Sequence, residues 1–458
     1  MIDGDGKGVT DQEDRGVGWL MRPLHTLPVG LQWVLTAALA CVTGFASWRL
    51  QALLDSPFLV ADHEYYLDMA RGQGGLVPQP FTSRPLAPLL ARGLARMAHA
   101  PIEHGFVLLG FVSLLATLLV VFALAMRTAA PRWLLLALAV TPFWPQLLHA
   151  LALPDTLSAA LLGGLLLCLA ADRPLWAAVA LCPLMVARES TSLALFCLLA
   201  VGWRQLRWWG CGLAVAAVAA GSAIVRAISP GVVSNMEHLP TAVYLAAKVP
   251  WNLLRLVGIA PWSNLYPYLC TEPLARFAIH AGPLRELGVC DIRPLPSETA
   301  AMALLTTFGL LPGLCVLLWR RLRAARQLDL LTRFCLLYGG FSAVLAPLIG
   351  TGYSRLFGYA WPMFLVAVPR LFPGLPDRAD GLSEGSGTGA GRRREGGDRS
   401  AWAALACGGM MLLQAGLGGL ALLPPRAGSV VWAGVLATAG MGVLLLPRSG
   451  LLPSSKTV

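Results

Sequence analysis

Charge is the scarcest commodity in this chain. Only 13% of its 458 residues are Asp, Glu, Lys or Arg, against roughly a quarter in an ordinary soluble domain. With 56% hydrophobic residues and a positive mean hydropathy of +0.65, the composition excludes a water-surrounded globule. Lysine is nearly absent, 3 residues against 32 arginines. The net charge of +11 is spread between apolar segments rather than gathered on one face, which excludes a nucleic-acid-binding surface and suits orientation signals of a membrane protein. Metal-binding signatures are missing too. There is no CxxC and no Cys/His cluster at zinc spacing, and eight of the ten cysteines lie inside apolar segments, where they act as small hydrophobes. Internal repeats are also missing, which counts against a transporter built from inverted repeats. The polar first 30 residues, with Asp3, Asp5, Asp11, Glu13 and Asp14, lack the pattern of a cleavable leader, so the first apolar segment is expected to be a retained anchor.

Long hydrophobic runs are what the chain has in quantity. Segments near 20 residues recur from Leu31 to Leu446, each able to cross a bilayer core of about 30 Å. The expected fold is all-α: a polytopic transmembrane helical bundle of about twelve spans. These fall near 28–48, 105–126, 133–150, 156–171, 174–187, 190–203, 208–226, 300–319, 328–349, 356–372, 401–423 and 429–447. The short fifth and sixth, separated by Arg188–Glu189, also fit one kinked helix. The organisation follows: a tail at 1–27, a ten-span body at 28–372 with long loops at 51–104 and 227–299, a linker at 373–400, a two-span hairpin at 401–447, and a tail at 448–458. The linker, rich in Gly, Ser and charge, reads as disordered.

Orientation follows from the basic residues of the short loops and tails. With the N-terminus inside, twenty Lys and Arg fall on the inner side and three (Arg188, Arg355 and Arg426) on the outer; long loops are left out because they cross largely regardless of charge. This places the protein in the cell membrane as a multi-pass protein with both termini cytoplasmic. The outer loops carry structure. "RPLAPLLARGLARMAHA" (84–100) sets Leu86, Leu89, Leu90, Leu94 and Met97 at helical spacing, and "TAVYLAAKVPWNLLRLVG" (241–258) is similar. Both suit amphipathic helices lying in the membrane interface, with Arg toward headgroups, or packed against the body. Cys270 and Cys290, alone in a polar loop, are placed for a disulfide in an oxidising outer compartment.

Against this apolar background a few polar residues stand out, and the topology puts all of them on the outer side. "ADHEYYLDMARG" follows the first span with Asp62, Glu64 and Asp68 beside Tyr66. "FTSRPLAP" carries Arg84, "LPDTLSA" Asp155, "VARESTS" Arg188 and Glu189, and "GTGYSRLFGYAWP" Tyr353 and Arg355. Each has an ordinary reading. Asp62 and Asp155 suit helix caps, Arg188 and Glu189 can pair with each other, and Arg355 can snorkel to headgroups. Ionisable groups near a membrane are nonetheless costly and usually mark a site. A carboxylate can serve as general base toward an acceptor hydroxyl or amine, guanidinium groups can hold a phosphate by paired hydrogen bonds, and grooves between helices can hold a lipid tail.

The D-x-E of Asp62–Glu64 followed by Tyr66, the "RPL" segment and the amphipathic outer helices resemble the GT-C membrane glycosyltransferases. "DTLSAALLGGLLLCLA" and "PLMVARESTSLALFCLL" are similar to the spans that follow, with Arg188 at the outer turn. The likeness covers about residues 28–226 and weakens through 372. It implies inverting hexosyl or pentosyl transfer from a polyprenyl-phosphate-linked donor to an acceptor the sequence does not identify. Asp62 would be the catalytic base, and Glu64, Tyr66, Arg84, Asp155, Arg188, Glu189, Tyr353 and Arg355 would bind substrate. No cofactor is assigned; the D-x-E pattern leaves dependence on a divalent cation open. Partners are membrane lipids and the lipid-linked donor, with no nucleic acid. The alternative is a transporter or lipid flippase, which would set charges along a path through the spans; here their middles are nearly clean, Arg333 and His149 being marginal.

Overall fold

The computed structural model describes residues 22–54, 62–77, 81–128, 130, 132, 135, 153–229, 249, 259–261, 292–294, 328–349 and 360–371. They are almost entirely helical: α1 Val29–Leu54, α2 His63–Arg71, α3 Leu86–Met97, α4 Ile102–Met126, α5 Asp155–Ala170, α6 Pro174–Ala187, α7 Thr191–Ile228, α8 Leu330–Ile349 and α9 Trp361–Leu371. The expected spans at 133–150, 300–319, 401–423 and 429–447 lie outside the described residues, as do the linker, the amphipathic segment at 241–258 apart from position 249, and Cys270 and Cys290. Two strands of three residues, β1 Ile259–Pro261 and β2 Ile292–Pro294, pair antiparallel within the second long loop. That ribbon is too short to alter the all-helical class or to leave a period-2 pattern in the sequence.

Two of the helices, α4 and α7, are long and apolar enough to cross a membrane. α7 is broken at Arg207, whose φ of 54° lies in the left-handed region. Gly210 lies against Leu175, and Gly221 against Cys182 and Met185, so the second half of α7 runs in the same direction as α6. The tight turn at Arg188–Ser190, closed by Arg188 N–H to Leu184 C=O at 2.8 Å and Thr191 N–H to Arg188 C=O at 3.3 Å, must therefore reverse the chain. The first half of α7 returns antiparallel to α6, and Arg207 turns it again. The fifth and sixth segments are thus two helices, as the span boundaries expected, and the turn that joins them presents Arg188 and Glu189 together at one end.

Two apolar clusters organise the described residues. The larger one fills the bundle, from Leu114, Leu118 and Phe122 of α4 through Leu165 and Leu166 of α5 and Leu181 of α6 to Phe334 of α8 and Val366 of α9. The smaller one, Tyr66, Leu67, Ala70, Val77, Phe81, Ala91, Phe106 and Leu153, sits where α2 and α3 pack on the start of α4. α2 forms because Tyr66, Leu67 and Ala70 share its buried face, and it ends because Gly72 takes φ 94°. There the Gly72 N–H bonds Met69 C=O and the Gln73 N–H bonds Asp68 C=O at 2.8 Å, a left-handed helix terminus that only glycine enters without strain.

Ends of helices expected on one side of the membrane also meet in space. Leu24 N–H bonds Ala130 C=O at 2.9 Å and His25 N–H bonds Thr128 C=O at 3.1 Å, joining the N-terminal segment to the connection after α4. Asp329, before α8, accepts from Arg370 at the end of α9. Away from these clusters, Trp203, Trp208, Trp209, Leu108, Val112, Val215 and Ile224 are exposed, an extent of bare apolar surface that water-facing monomers rarely tolerate.

The crossing of α3 on α4 is unusually close. A Cβ built on Gly105 would collide with the carbonyl oxygen of Ala91 and lie 3.1 Å from the Ala95 methyl. Neither backbone can retreat cheaply, so Gly105→Ala is expected to cost about 1–3 kcal/mol by overpacking and to lower the melting temperature. Gly93→Ala, with open space around its Cβ, should not destabilise. Equal melting of the two variants would show that the helices can separate without cost.

Candidate functional site

The turn between α6 and α7, the start of α5 and the segment after α2 converge on a group of charges in which Arg84, Asp155 and Arg188 are buried and the Glu189 side chain is 41% exposed. Arg84 is 6% exposed and Arg188 4%. Arg84 donates from Nε to Glu189 Oε2 at 2.8 Å and from Nη2 to Glu189 Oε1, forming a fork on one carboxylate. Its Nη1 donates to the Tyr66 hydroxyl at 3.0 Å. Arg188 donates from Nη1 to Asp155 Oδ1, and Asp155 is 5% exposed. Two arginines and two carboxylates balance, the condition under which charge can be buried without prohibitive desolvation. Phe81 holds the Arg84 segment to α2, stacking on Tyr65 at 4.5 Å between centroids and meeting Tyr66 edge-on at 5.8 Å.

Electrostatics follow from this arrangement. Burial opposes ionisation of Glu189, but the Arg84 charge, its hydrogen bonds and the Arg188 charge outweigh it and hold the carboxyl down at about 2. A depressed carboxyl stabilises the fold above its ordinary value of 4.5 and loses that contribution as pH falls through about 2. The Arg84–Glu189 contact is therefore fully charged at neutral pH. Burial, partly offset by Arg84 and Arg188, raises the Tyr66 phenol above its ordinary value, so its hydroxyl keeps its proton.

Five of the nine residues singled out from sequence, namely Tyr66, Arg84, Asp155, Arg188 and Glu189, are thus brought together. Their partners differ from the sequence reading. Arg188 and Glu189 do not pair with each other; each reaches to a different segment. Asp155 is not a cap, since it is the first residue of α5 after Pro154 and serves Arg188 instead. Asp62 occupies the N-cap position of α2, but its φ and ψ of −64° and −19° are already helical and its carboxylate makes no capping hydrogen bond. Residues four apart share a helix face, so Asp62 lies one turn from Tyr66 on the side that carries the charged group. Glu64 is exposed and lies 3.1 Å from His63 Nε2. Tyr353 and Arg355 lie outside the described residues.

Sequence reasoning missed Ser158, Ser190, Thr191 and Tyr338, which with Arg188 line a narrow crevice between α5, α6, α7 and α8. Hydroxyls inside apolar helices were the available signal. Among the described residues no group of three His, Cys, Asp or Glu is placed to hold a metal ion. Compared with known proteins, the chain matches no family model, no curated protein and no solved structure.

Proposed function

We propose that the protein is a multi-pass membrane glycosyltransferase of about twelve spans that moves a sugar from a polyprenyl-phosphate donor to an acceptor at the extracytoplasmic face. One observation carries the reading: Asp62, a carboxylate that does not cap its helix, stands one turn from Tyr66, whose hydroxyl accepts from Arg84 in a charged group drawn from three separate segments. Asp62 is the general base toward the acceptor. Arg84, forked on Glu189 and bonded to Tyr66, is committed to holding α2 in place. Arg188 faces the crevice and would meet the donor phosphate by exchanging its Asp155 contact for a phosphate oxygen, an exchange the geometry of a guanidinium favours over an ammonium. The exposed tryptophans and aliphatic side chains on α4 and α7 are the lipid-facing surface, and the cell membrane with both termini inside is the location that the basic-residue count supports.

The charges of the described helices lie mostly at helix ends and in the connecting turns rather than along the helices, which favours a surface enzyme over a transporter or flippase. The test uses the purified full chain with a short-chain polyprenyl-phosphate sugar labelled in the sugar. Release of polyprenyl phosphate with label transferred to an added acceptor supports the reading. Movement of intact donor across a vesicle bilayer with no release would replace it with a flippase.

A further inference from the structure

A second polar feature lies on the outer helices, away from the Arg188 crevice. Arg71 at the end of α2, Arg92 and Arg96 on α3, and His99 in the turn into α4 surround an open bowl of about 380 Å³ whose floor is Ala70, Ala95 and Ala100. Arg71 is engaged by Asp68 at 3.4 Å and Glu103 at 2.9 Å. Both carboxylates are thus committed to Arg71. Among the described residues Arg92, Arg96 and His99 have no ion-pair partner. Arg92 and Arg96 are four apart, a spacing at which like charges repel on a helix, and His99 sits at φ 49°, a conformation that costs a non-glycine residue free energy. Neither arrangement helps the fold.

The surroundings state what would relieve the repulsion. Leu89, Leu90 and Met97 project exposed from the same helix, while Ala87, Ala91 and Ala95 face inward. α3 thus offers an apolar edge beside a cationic bowl, the disposition of a helix lying at a lipid interface. The Gly105 crossing fixes α3 against α4, so the bowl is preformed rather than assembled by its ligand. We infer that the Arg92–Arg96–His99 bowl is a binding site for the phosphate of an anionic phospholipid headgroup, with the acyl chains lying along Leu89, Leu90 and Met97. It is separate from the proposed donor site: Arg71, at the bowl, and Asp62 lie at opposite ends of α2.

The experiment measures lipid association with the purified full chain in zwitterionic phosphatidylcholine nanodiscs, titrated with spin-labelled phosphatidylglycerol or spin-labelled phosphatidylcholine. Wild type should retain the anionic lipid over the zwitterionic one, and Arg92→Gln with Arg96→Gln should lose about fivefold of that preference per arginine. Arg92→Lys with Arg96→Lys should retain most of it. Glycerol phosphate and inorganic phosphate at millimolar concentration should compete weakly, because neither carries chains for the apolar edge. Equal retention of both lipids by wild type overturns the site without recourse to any variant. Full displacement by inorganic phosphate overturns the lipid assignment and leaves a soluble-phosphate site. Unchanged preference in the double Gln variant with an altered melting temperature would show that the arginines serve only the helix.

Discussion

Purified Asp62→Asn protein is expected to transfer sugar roughly 10²–10⁴-fold more slowly than wild type, the usual cost of removing a general base. Its fold should be nearly untouched. A capping Asp is worth about 1 kcal/mol, and the Asp62 carboxylate makes no such bond. Asn preserves size and one acceptor oxygen while abolishing basicity, so loss of rate with retained melting isolates proton transfer. Glu64→Gln is the companion variant, exposed and outside the buried group, and should keep most of the activity. An Asp62→Asn enzyme as fast as wild type would leave Asp62 without a chemical role and remove the main support for a transferase.

The largest effect on stability is expected at the Arg188–Asp155 pair, where both side chains are 5% exposed. Arg188→Met strands the Asp155 carboxylate, and Asp155→Leu strands the guanidinium; each should cost about 3–5 kcal/mol, the usual penalty for breaking a buried pair from one side. Replacing both together should recover much of that loss, because apolar side chains of similar volume often substitute for a buried ion pair at little or no cost. Chemical unfolding of the four proteins gives the coupling directly. If the two single losses simply add in the double variant, the pair does not interact as described. The same four proteins separate scaffold from clamp: a double variant that melts like wild type but no longer binds donor would assign Arg188 to the phosphate.

Where the described helices fall was legible because apolar length is a local property. The reversal at Arg188–Ser190 and the break at Arg207 were marked by the few charges that interrupt apolar sequence. What those charges touch was not legible. Arg188 and Glu189 are adjacent in sequence, yet the backbone between α6 and α7 sends one side chain toward α5 and the other toward the segment after α2. Such choices depend on which helix ends approach, and no spacing rule records that. Asp62 shows a subtler limit. An acid before a helical run reads as a cap, but the Asp62 backbone is already helical and its carboxylate makes no capping hydrogen bond. The β1–β2 ribbon left no signal, because three residues per strand cannot display an alternation. The crevice hydroxyls were passed over because Ser and Thr within an apolar helix ordinarily bond their own backbone, as the Thr117 hydroxyl does to Ser113 C=O at 2.8 Å.

The fork between Arg84 and Glu189 joins residues 105 positions apart, and this separation sets an order of events during synthesis. At about 5–20 residues per second, Arg84 emerges roughly 5–20 s before the carboxylate that will neutralise it. Throughout that interval the segment after α2 carries a cation that has no place in an apolar interior, so it must wait in water or among headgroups. Only when the α6–α7 turn arrives can Arg84 be held by Glu189 as well as by Tyr66. α2 and α3 are therefore expected to complete their docking late, although they are among the first helices to be made. A chain halted before Glu189 would lack the carboxylate that holds Arg84, and the quality-control machinery of the cell would meet an uncompensated arginine where the finished protein has a buried one.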